Sequence, residues 1–274
     1  MATSSEHDQT RSGGQRRLHV AVLGLGEAGG AIAADLAASG AEVRAWDPVV
    51  EEPPSGVRMA PSGEAAVTGA SAVLSVNTAA AALELARELR PALGAGQLYA
   101  DLNTASPALK AEIAATVRPS GALFADVALM GPVPGRGLRT PSVVSGDGAS
   151  LFAELFAPRG MPVELVEGGP GAAAARKLLR SVFMKGLAAA AIESLAAARE
   201  AGHEEWLHDQ LGATLAEADS ALLERLLSSS RRHAGRRVHE MESARTMLAE
   251  LGVEPRVCAA ALEWLRDLQQ EAGE

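Results

Sequence analysis

The chain has 274 residues, 47% of them apolar and only 3% aromatic, which gives it material for one large core or two modest ones built from close-packed alanine and leucine. Its formal net charge is −9, so a nucleic acid is excluded as a general partner unless a local basic stripe overrides the repulsion. Cys258 is the single cysteine and excludes an internal disulfide, as suits a reducing, cytoplasmic setting.

Residues 1–17 are polar, lack the apolar core of a secretory signal and are expected to form a disordered tail. Leu18–Leu23 is a short apolar run bounded by Gly24 and reads as a buried strand. A helix over 27–39, stopped by Gly40, and a strand over 41–46 complete a βαβ unit. The alternation continues: a loop over 49–61 with a short strand near Val57–Met59, a strand over 71–76, a helix over 79–89, a strand over 97–102, a helix over 106–117 and a strand over 122–129. A loop over 131–141 follows, then a strand at 142–145, a helix near 149–156 and a strand at 161–166. Strands alternating with helices predict an α/β fold with a doubly wound, mostly parallel sheet over 18–168.

The pattern changes at Gly168, Gly169, Pro170 and Gly171. One long helix is expected over 172–201, and more over 203–211, 213–229, 232–251 and 256–271, giving an all-helical second domain over 169–274. No uninterrupted apolar run reaches the roughly 20 residues of a membrane span. The nearest, 182–198, contains Lys185 and Glu193, so no membrane association is expected. The one basic concentration, Arg231, Arg232, Arg236 and Arg237, is followed by Glu240 and Glu242 and reads as a solvated helix face. No His/Cys spacing or acid cluster calls for a metal.

Gly24-Leu25-Gly26-Glu27-Ala28-Gly29 is a GxGxxG directly after a strand and opening a helix. Gly24 allows the tight turn, Gly26 lets the backbone approach a pyrophosphate, and Gly29 lets the helix pack on the strand. The anion would sit where free N–H groups and the helix dipole favour negative charge. Asp47 ends the second strand, where a carboxylate accepts both hydroxyls of an adenosine ribose and repels a 2′-phosphate. The expected cofactor is NAD, with NADP the alternative; Arg44, three residues earlier, keeps that choice open.

With these motifs the chain resembles the β-hydroxyacid dehydrogenase superfamily, which includes 3-hydroxyisobutyrate and 6-phosphogluconate dehydrogenases, and within it a bacterial branch with a 6-phosphogluconate dehydrogenase C-terminal-like domain. Asp101-Leu102-Asn103-Thr104-Ala105-Ser106-Pro107 is similar to the family's D-x-S-T-x-x-P beside the nicotinamide, with Asn103 in place of serine. Gly171 to Ser181 matches its catalytic-helix motif: Lys177 falls on the lysine, Ser181 on the asparagine and Arg180 on the histidine of 6-phosphogluconate dehydrogenases. The resemblance implies cofactor contacts from Gly24–Gly29, Asp47, Asn77, Thr78, Asn103 and Thr104, a substrate site at Asn103, Gly131, Arg180, Arg237 and His239, and a homodimer through the C-terminal helices.

The family's substrate loop D-x-P-V-S-G-G reads here Asp126-Val127-Ala128-Leu129-Met130-Gly131-Pro132. Met130 removes a hydroxyl and Pro132 an N–H, and Arg180 is the compensating anchor for an anionic substrate. Lys177 lies among apolar neighbours that would lower its pKa and fit it for acid/base work, with Ser181 a turn further on and Lys185 the rival on the same stripe. The expected reaction is hydride transfer between NAD(P) and a small hydroxy acid/carbonyl pair, with Lys177 and Ser181 as catalytic residues. The alternatives are an imine reductase and a non-catalytic dinucleotide-sensing or scaffold protein.

Overall fold

Strand residues of the N-terminal half are apolar on both faces, and both faces are covered. In the computed structural model, which describes residues 17–273, the elements run β1 His19–Leu23, α1 Glu27–Ala38, β2 Glu42–Trp46, β3 Val57–Met59, α2 Gly63–Val67, β4 Ala72–Ser75, α3 Ala79–Leu89, β5 Leu98–Asp101, α4 Pro107–Val117, β6 Leu123–Leu129, β7 Ser142–Ser145, α5 Ala149–Phe156 and β8 Val163–Leu165. The tail expected over 1–17 falls, apart from Arg17, outside the described residues. The eight strands form one sheet in the order β3-β2-β1-β4-β5-β6-β7-β8, parallel except where β6 meets β7. The pleat sends Val20 and Val22 into a cluster with Ile32 and Leu36 of α1 and with Phe152 and Phe156 of α5. Ala21 and Leu23 point the other way, to Leu85 and Leu89 of α3 and Ile113 and Val117 of α4.

β1 has β2 on one side and β4 on the other, so the chain reverses its direction of winding beside β1. In such sheets a ligand crevice opens at the carboxyl ends of the strands where the order reverses. The residues following β1, β4, β5 and β6 therefore face that crevice.

The helices continue as α6 Ala172–Glu200, α7 Glu204–Ala216, α8 Ser220–Arg232, α9 Ala234–Glu250 and α10 Arg256–Glu271. Two compact units result, dividing inside α6 between Leu179 and Arg180, so the Gly168–Gly171 break lies within the first unit. Inside the second unit, Ala197, Leu248 and Cys258 form a small core with Met241 and Ala244 packed on it. Glu193 of α6 accepts hydrogen bonds from the N–H groups of Val257 and Cys258 at 2.7 and 2.8 Å, capping α10 from outside.

Three sequence expectations need correction. α2 was missed; Ser62 caps it by accepting from the N–H of Ala65 at 3.1 Å. Helices were expected to break at Gly212, but Gly212 lies inside α7, because one interior glycine costs only about 1 kcal/mol. The break comes at Asp219, whose carboxylate accepts from the N–H of Leu222 at 2.8 Å and starts α8. Finally, α6 is, by length and composition, long and apolar enough to cross a membrane. The expectation that no segment was so counted uninterrupted runs, whereas alanine-rich turns carry the helix past Lys185 and Glu193.

Candidate active site

The glycine turn after β1 has the form its sequence predicts. Gly24 is left-handed at φ +102°, and a Cβ there would collide with the carbonyl of Val76. A Cβ on Gly29 would strike the carbonyl of Gly24, so α1 approaches the turn only because residue 29 has no side chain. Gly26 is the N-cap of α1, is exposed, and has nothing within 4 Å of where its Cβ would be. Glu27 and Ala28 open the helix behind it. A bare helix N-terminus at the switch point fits a pyrophosphate.

Asp47 directly follows β2 and reaches back to this turn. Its Oδ2 accepts from the N–H of Leu25 at 2.7 Å, and its Oδ1 accepts from Val49 and Val50 at 2.8 and 2.9 Å. Partial burial pushes this carboxyl up, but the three N–H donors outweigh it and hold it below the usual range. Asp47 thus fastens the glycine turn as well as presenting a carboxylate beside it. Arg44 is engaged by Glu42 and the carbonyl of Thr68, at 3.5 and 3.4 Å.

Three further strand ends supply polar groups. After β4, Asn77 donates to Ser75 Oγ at 3.1 Å and Thr78 caps α3, accepting from Ala81 at 3.3 Å. After β5, Asn103 Nδ2 donates to Asp101 Oδ2 at 3.0 Å and to Ser75 Oγ at 3.2 Å. The Oδ1 atoms of both Asn77 and Asn103 are buried without a hydrogen-bond partner. Such acceptors are costly unless something fills them, and a carboxamide N–H of a nicotinamide, or a substrate N–H or O–H, would. Thr104 is exposed next to Asn103. Ser106 caps α4, accepting from Leu109 at 3.2 Å, with Pro107 at the first helical position, which explains the end of this motif as local helix chemistry.

Beneath these groups lies a buried charge cluster that sequence reasoning missed. Lys110, on the inner face of α4 with Ile113, Ala114 and Val117, is 1% exposed. Its Nζ lies 2.5 Å from Asp101 Oδ1 and 3.2 Å from Asp126 Oδ1, and donates to the carbonyl of Asp101 at 2.7 Å. Asp126 Oδ2 in turn accepts from the N–H groups of Gly171 and Ala174, each at 3.0 Å, and from Ser145 Oγ at 3.3 Å. Asp126 therefore caps α6. Gly171, at φ +101°, lies so close to Pro107 that a Cβ would come within 2.7 Å of the Pro107 carbonyl.

This cap sets Lys177 on the second turn of α6, where it lines a narrow cleft, closed to water as it stands, with Asn103, Thr104, Lys110 and Asp126. Lys177 is half-buried. Desolvation, then the nearby Lys110 ammonium, lower its pKa from 10.5, and Asp126 opposes them only in part.

The loop after β6 is not irregular throughout, as was expected for 131–141: a short 3-10 turn covers Gly137–Arg139. Asp35 of α1 accepts from the N–H of Leu138 at 2.9 Å and lies where a side chain on Gly137 would be. Met130 packs with Ala128, Val143 and Ala173 in a small apolar cluster. Gly131 is half-buried, and the Arg136 guanidinium comes within 3.4 Å of where its Cβ would lie.

The remaining predicted residues fall in the second unit. Arg180 and Lys185 are exposed on α6 and Ser181 is half-buried. Arg237 donates to Ser229 and Ser230 at 2.9 and 2.8 Å, an anchoring of α9 to α8. His239 is exposed, 3.6 Å from Glu242. Lys177 is thus brought together with Asn103 and Thr104; Arg237 and His239 each have local partners. Among the described residues no group of three His, Cys, Asp or Glu side chains could hold a metal.

Comparison with known proteins agrees with this geometry. Residues 19–153 match the NAD binding domain of 6-phosphogluconate dehydrogenase, and residues 198–268 match a domain of unknown function, DUF1932. A conserved hypothetical protein from Sinorhizobium meliloti is 30% identical, over 92% of this chain and 88% of its own, with a TM-score of 0.60. A second conserved protein of unknown function, described as structurally similar to 3-hydroxyacid dehydrogenases, is 30% identical over 93% of this chain and 99% of its own, with a TM-score of 0.59. An imine reductase from Myxococcus stipitatus, in complex with NADP+, shares the fold at 19% identity and a TM-score of 0.77, over 92% of this chain and 94% of its own. No curated protein matches the chain. A glycine turn whose form fits a pyrophosphate and two relatives at 30% identity matched almost end to end lead to one conclusion: the chain belongs to the 6-phosphogluconate dehydrogenase-like, NAD(P)-binding oxidoreductase family, whose members resemble 3-hydroxyacid dehydrogenases in structure, with a DUF1932 domain over residues 198–268.

Proposed function

We propose that this protein is a dehydrogenase or reductase of a small hydroxy acid/carbonyl pair, with Lys177 as the general acid/base. The observation that carries this is Lys177 itself: a half-buried lysine with a lowered pKa, lining one cleft with a buried amide whose acceptor is unfilled. The nicotinamide cofactor, when bound, supplies or accepts the hydride. Gly24–Gly29 and Asp47 would hold its pyrophosphate and ribose, and Asn77, Thr78, Asn103 and Thr104 its nicotinamide end. In oxidation Lys177 takes the hydroxyl proton; in reduction its ammonium polarises the carbonyl and returns the proton. Asn103 Oδ1 orients the reacting group, with the backbone at Gly131 assisting. Asp47 favours NAD over NADP.

A second reading has a specific observation in its favour. Met130 is drawn into an apolar cluster and Pro132 lacks an N–H, so the loop offers little to a carboxylate and suits an uncharged imine, the substrate class named for several proteins of this fold. NADH and NADPH oxidation against a panel of aldehydes, 2-oxo acids, 3-oxo acids and cyclic imines tests both. Turnover confined to imines overturns the hydroxy-acid reading, and no turnover on any arm overturns both in favour of a dinucleotide-sensing or scaffold protein. The apolar residues exposed on α6, among them Leu179, Val182, Phe183 and Ile192, support a homodimer packed through the C-terminal helices.

A further inference from the structure

Asp101, Lys110 and Asp126 are fully buried, charged, and take no part in the proton transfer just described. Burying three charges is costly, and replacing such a cluster by apolar residues of similar size is often neutral or stabilising. A stability role alone is therefore a weak account of it. Its position gives a better one. Asp126 gives Oδ2 to the first turn of α6, while its Oδ1 makes no hydrogen bond and lies 3.2 Å from the Lys110 ammonium, so the carboxylate lining the cleft with Lys177 is held in place by the helix and has its charge offset by Lys110. We propose that Lys110 is a positioning residue for Lys177: by neutralising Asp126 and fixing it as the cap of α6, it keeps the Lys177 ammonium beside a carboxylate without letting the two close into an ion pair. The inference rests on the reading of Lys177 as the proton carrier.

The charge arithmetic has a definite sense. The charged groups around Lys177 are Lys110 from α4, Asp126 from β6 and, behind them, Asp101 from β5; on its own helix stand Arg176 and Arg180, of which Arg176 donates to the carbonyl of Ala172 at 3.0 Å. Two carboxylates face one buried ammonium. With Lys110 in place, the excess negative charge is small enough that desolvation prevails and Lys177 gives up its proton readily. Without Lys110, Asp126 would meet Lys177 as an unneutralised carboxylate, and Lys177 would hold its proton as an ion-pair partner. Without the charge on Asp126, Lys177 would lose its one attracting neighbour in the cleft and face Lys110 paired only with Asp101, and so give up its proton more readily still.

Competitive acetylation of the full-length protein with trace acetic anhydride across roughly pH 6–11, read by mass spectrometry of the Lys177 peptide, measures this without a substrate. The midpoint for Lys177 should move down by about one unit in Asp126→Asn and up by about one unit in Lys110→Met, each a tenfold change in acid constant. Lys185 in the same samples should not move. Asp126→Asn retains an oxygen for the Gly171 and Ala174 N–H groups, so it gives a reading even where Lys110→Met does not fold. An unchanged Lys177 midpoint in Asp126→Asn, or shifts of the same sign in both variants, overturns the proposal. Opposite shifts combined with full turnover in Lys177→Ala would uphold the coupling while overturning the proton-transfer reading.

Discussion

Lys177 and Asp47 are the residues on which the proposed chemistry can be tested directly. Lys177→Ala removes a group felt mainly in the transition state, so kcat should fall roughly 10²–10⁴-fold in stopped-flow or steady-state assays. NADH affinity, read by fluorescence titration, should stay within about twofold, because the pyrophosphate is assigned to the glycine turn. Lys185→Ala, the same residue type two helical turns on, is the control, and a larger loss there would transfer the role to Lys185. The pH dependence follows from the lowered pKa. Reduction needs the ammonium, so its rate should fall as pH rises through that pKa; oxidation needs the free amine and should rise through it. The folded state also binds fewer protons than the unfolded chain between that pKa and 10.5, so the cost of burying the charged Lys177 is relieved, and stability rises, as pH increases across the window. Asp47→Ala should narrow the preference for NADH over NADPH measured by titration. It should also weaken both cofactors, because the variant releases the N–H of Leu25 from its carboxylate. Undiminished NADH binding in Asp47→Ala would count against that fastening role. Much of this was legible in the sequence. The three glycines declare their tasks by spacing, and Lys177 stands out as a lysine among alanines and leucines. Lys110 was legible in principle, since it occupies the same helical stripe as Ile113, Ala114 and Val117, where a charge is out of place. Asp126 as a helix cap was not, because its partners Gly171 and Ala174 lie 45 and 48 residues further along the chain.

At the scale of elements, α1 and α10 show how one atom or one carboxylate decides an arrangement. Gly29→Ala places a methyl group against the carbonyl of Gly24 and pushes α1 off the turn. Cofactor-induced stabilisation in a thermal melt should then vanish, whereas Gly30→Ala, whose Cβ would come no closer than 3.3 Å, to the Leu25 carbonyl, should lose less. Glu193→Ala leaves the N–H groups of Val257 and Cys258 without their acceptor. The loss should be about 1–2 kcal/mol in urea denaturation, in the range of other helix caps; no change would mean that solvent replaces the carboxylate. The elements of the sheet were predicted nearly residue for residue, because strand, turn and helix each carry strong local signals there. The helices of the second half were placed but cut wrongly, since alanine-rich sequence marks helix everywhere and the true stop at Asp219 is a side-chain cap, not a glycine.

For the whole molecule, the exposed apolar residues of α6 set the expectation. Val182 at 74% and Leu179 at 72% exposure are unusual for a lone soluble chain, and light scattering at micromolar concentration should return a dimer. Val182→Asp with Phe183→Asp should shift that dimer to monomer, and a monomer before mutation would refute the assembly. The fold class was readable because periodicity is a local property, but assembly and substrate depend on surfaces that no local pattern marks. One link within the first unit bears on how such a protein can be altered. Asp35 of α1 grips Leu138, and Gly137 is bare because Asp35 occupies its side-chain space. The loop that follows β6 is in this sense grafted onto the dinucleotide helix. A transplant of residues 131–141 from a relative will be accepted only if its residue 137 remains glycine or position 35 is exchanged with it. Redesign of this loop therefore has to treat two stretches whose bridging residues lie 103 positions apart as a single cassette.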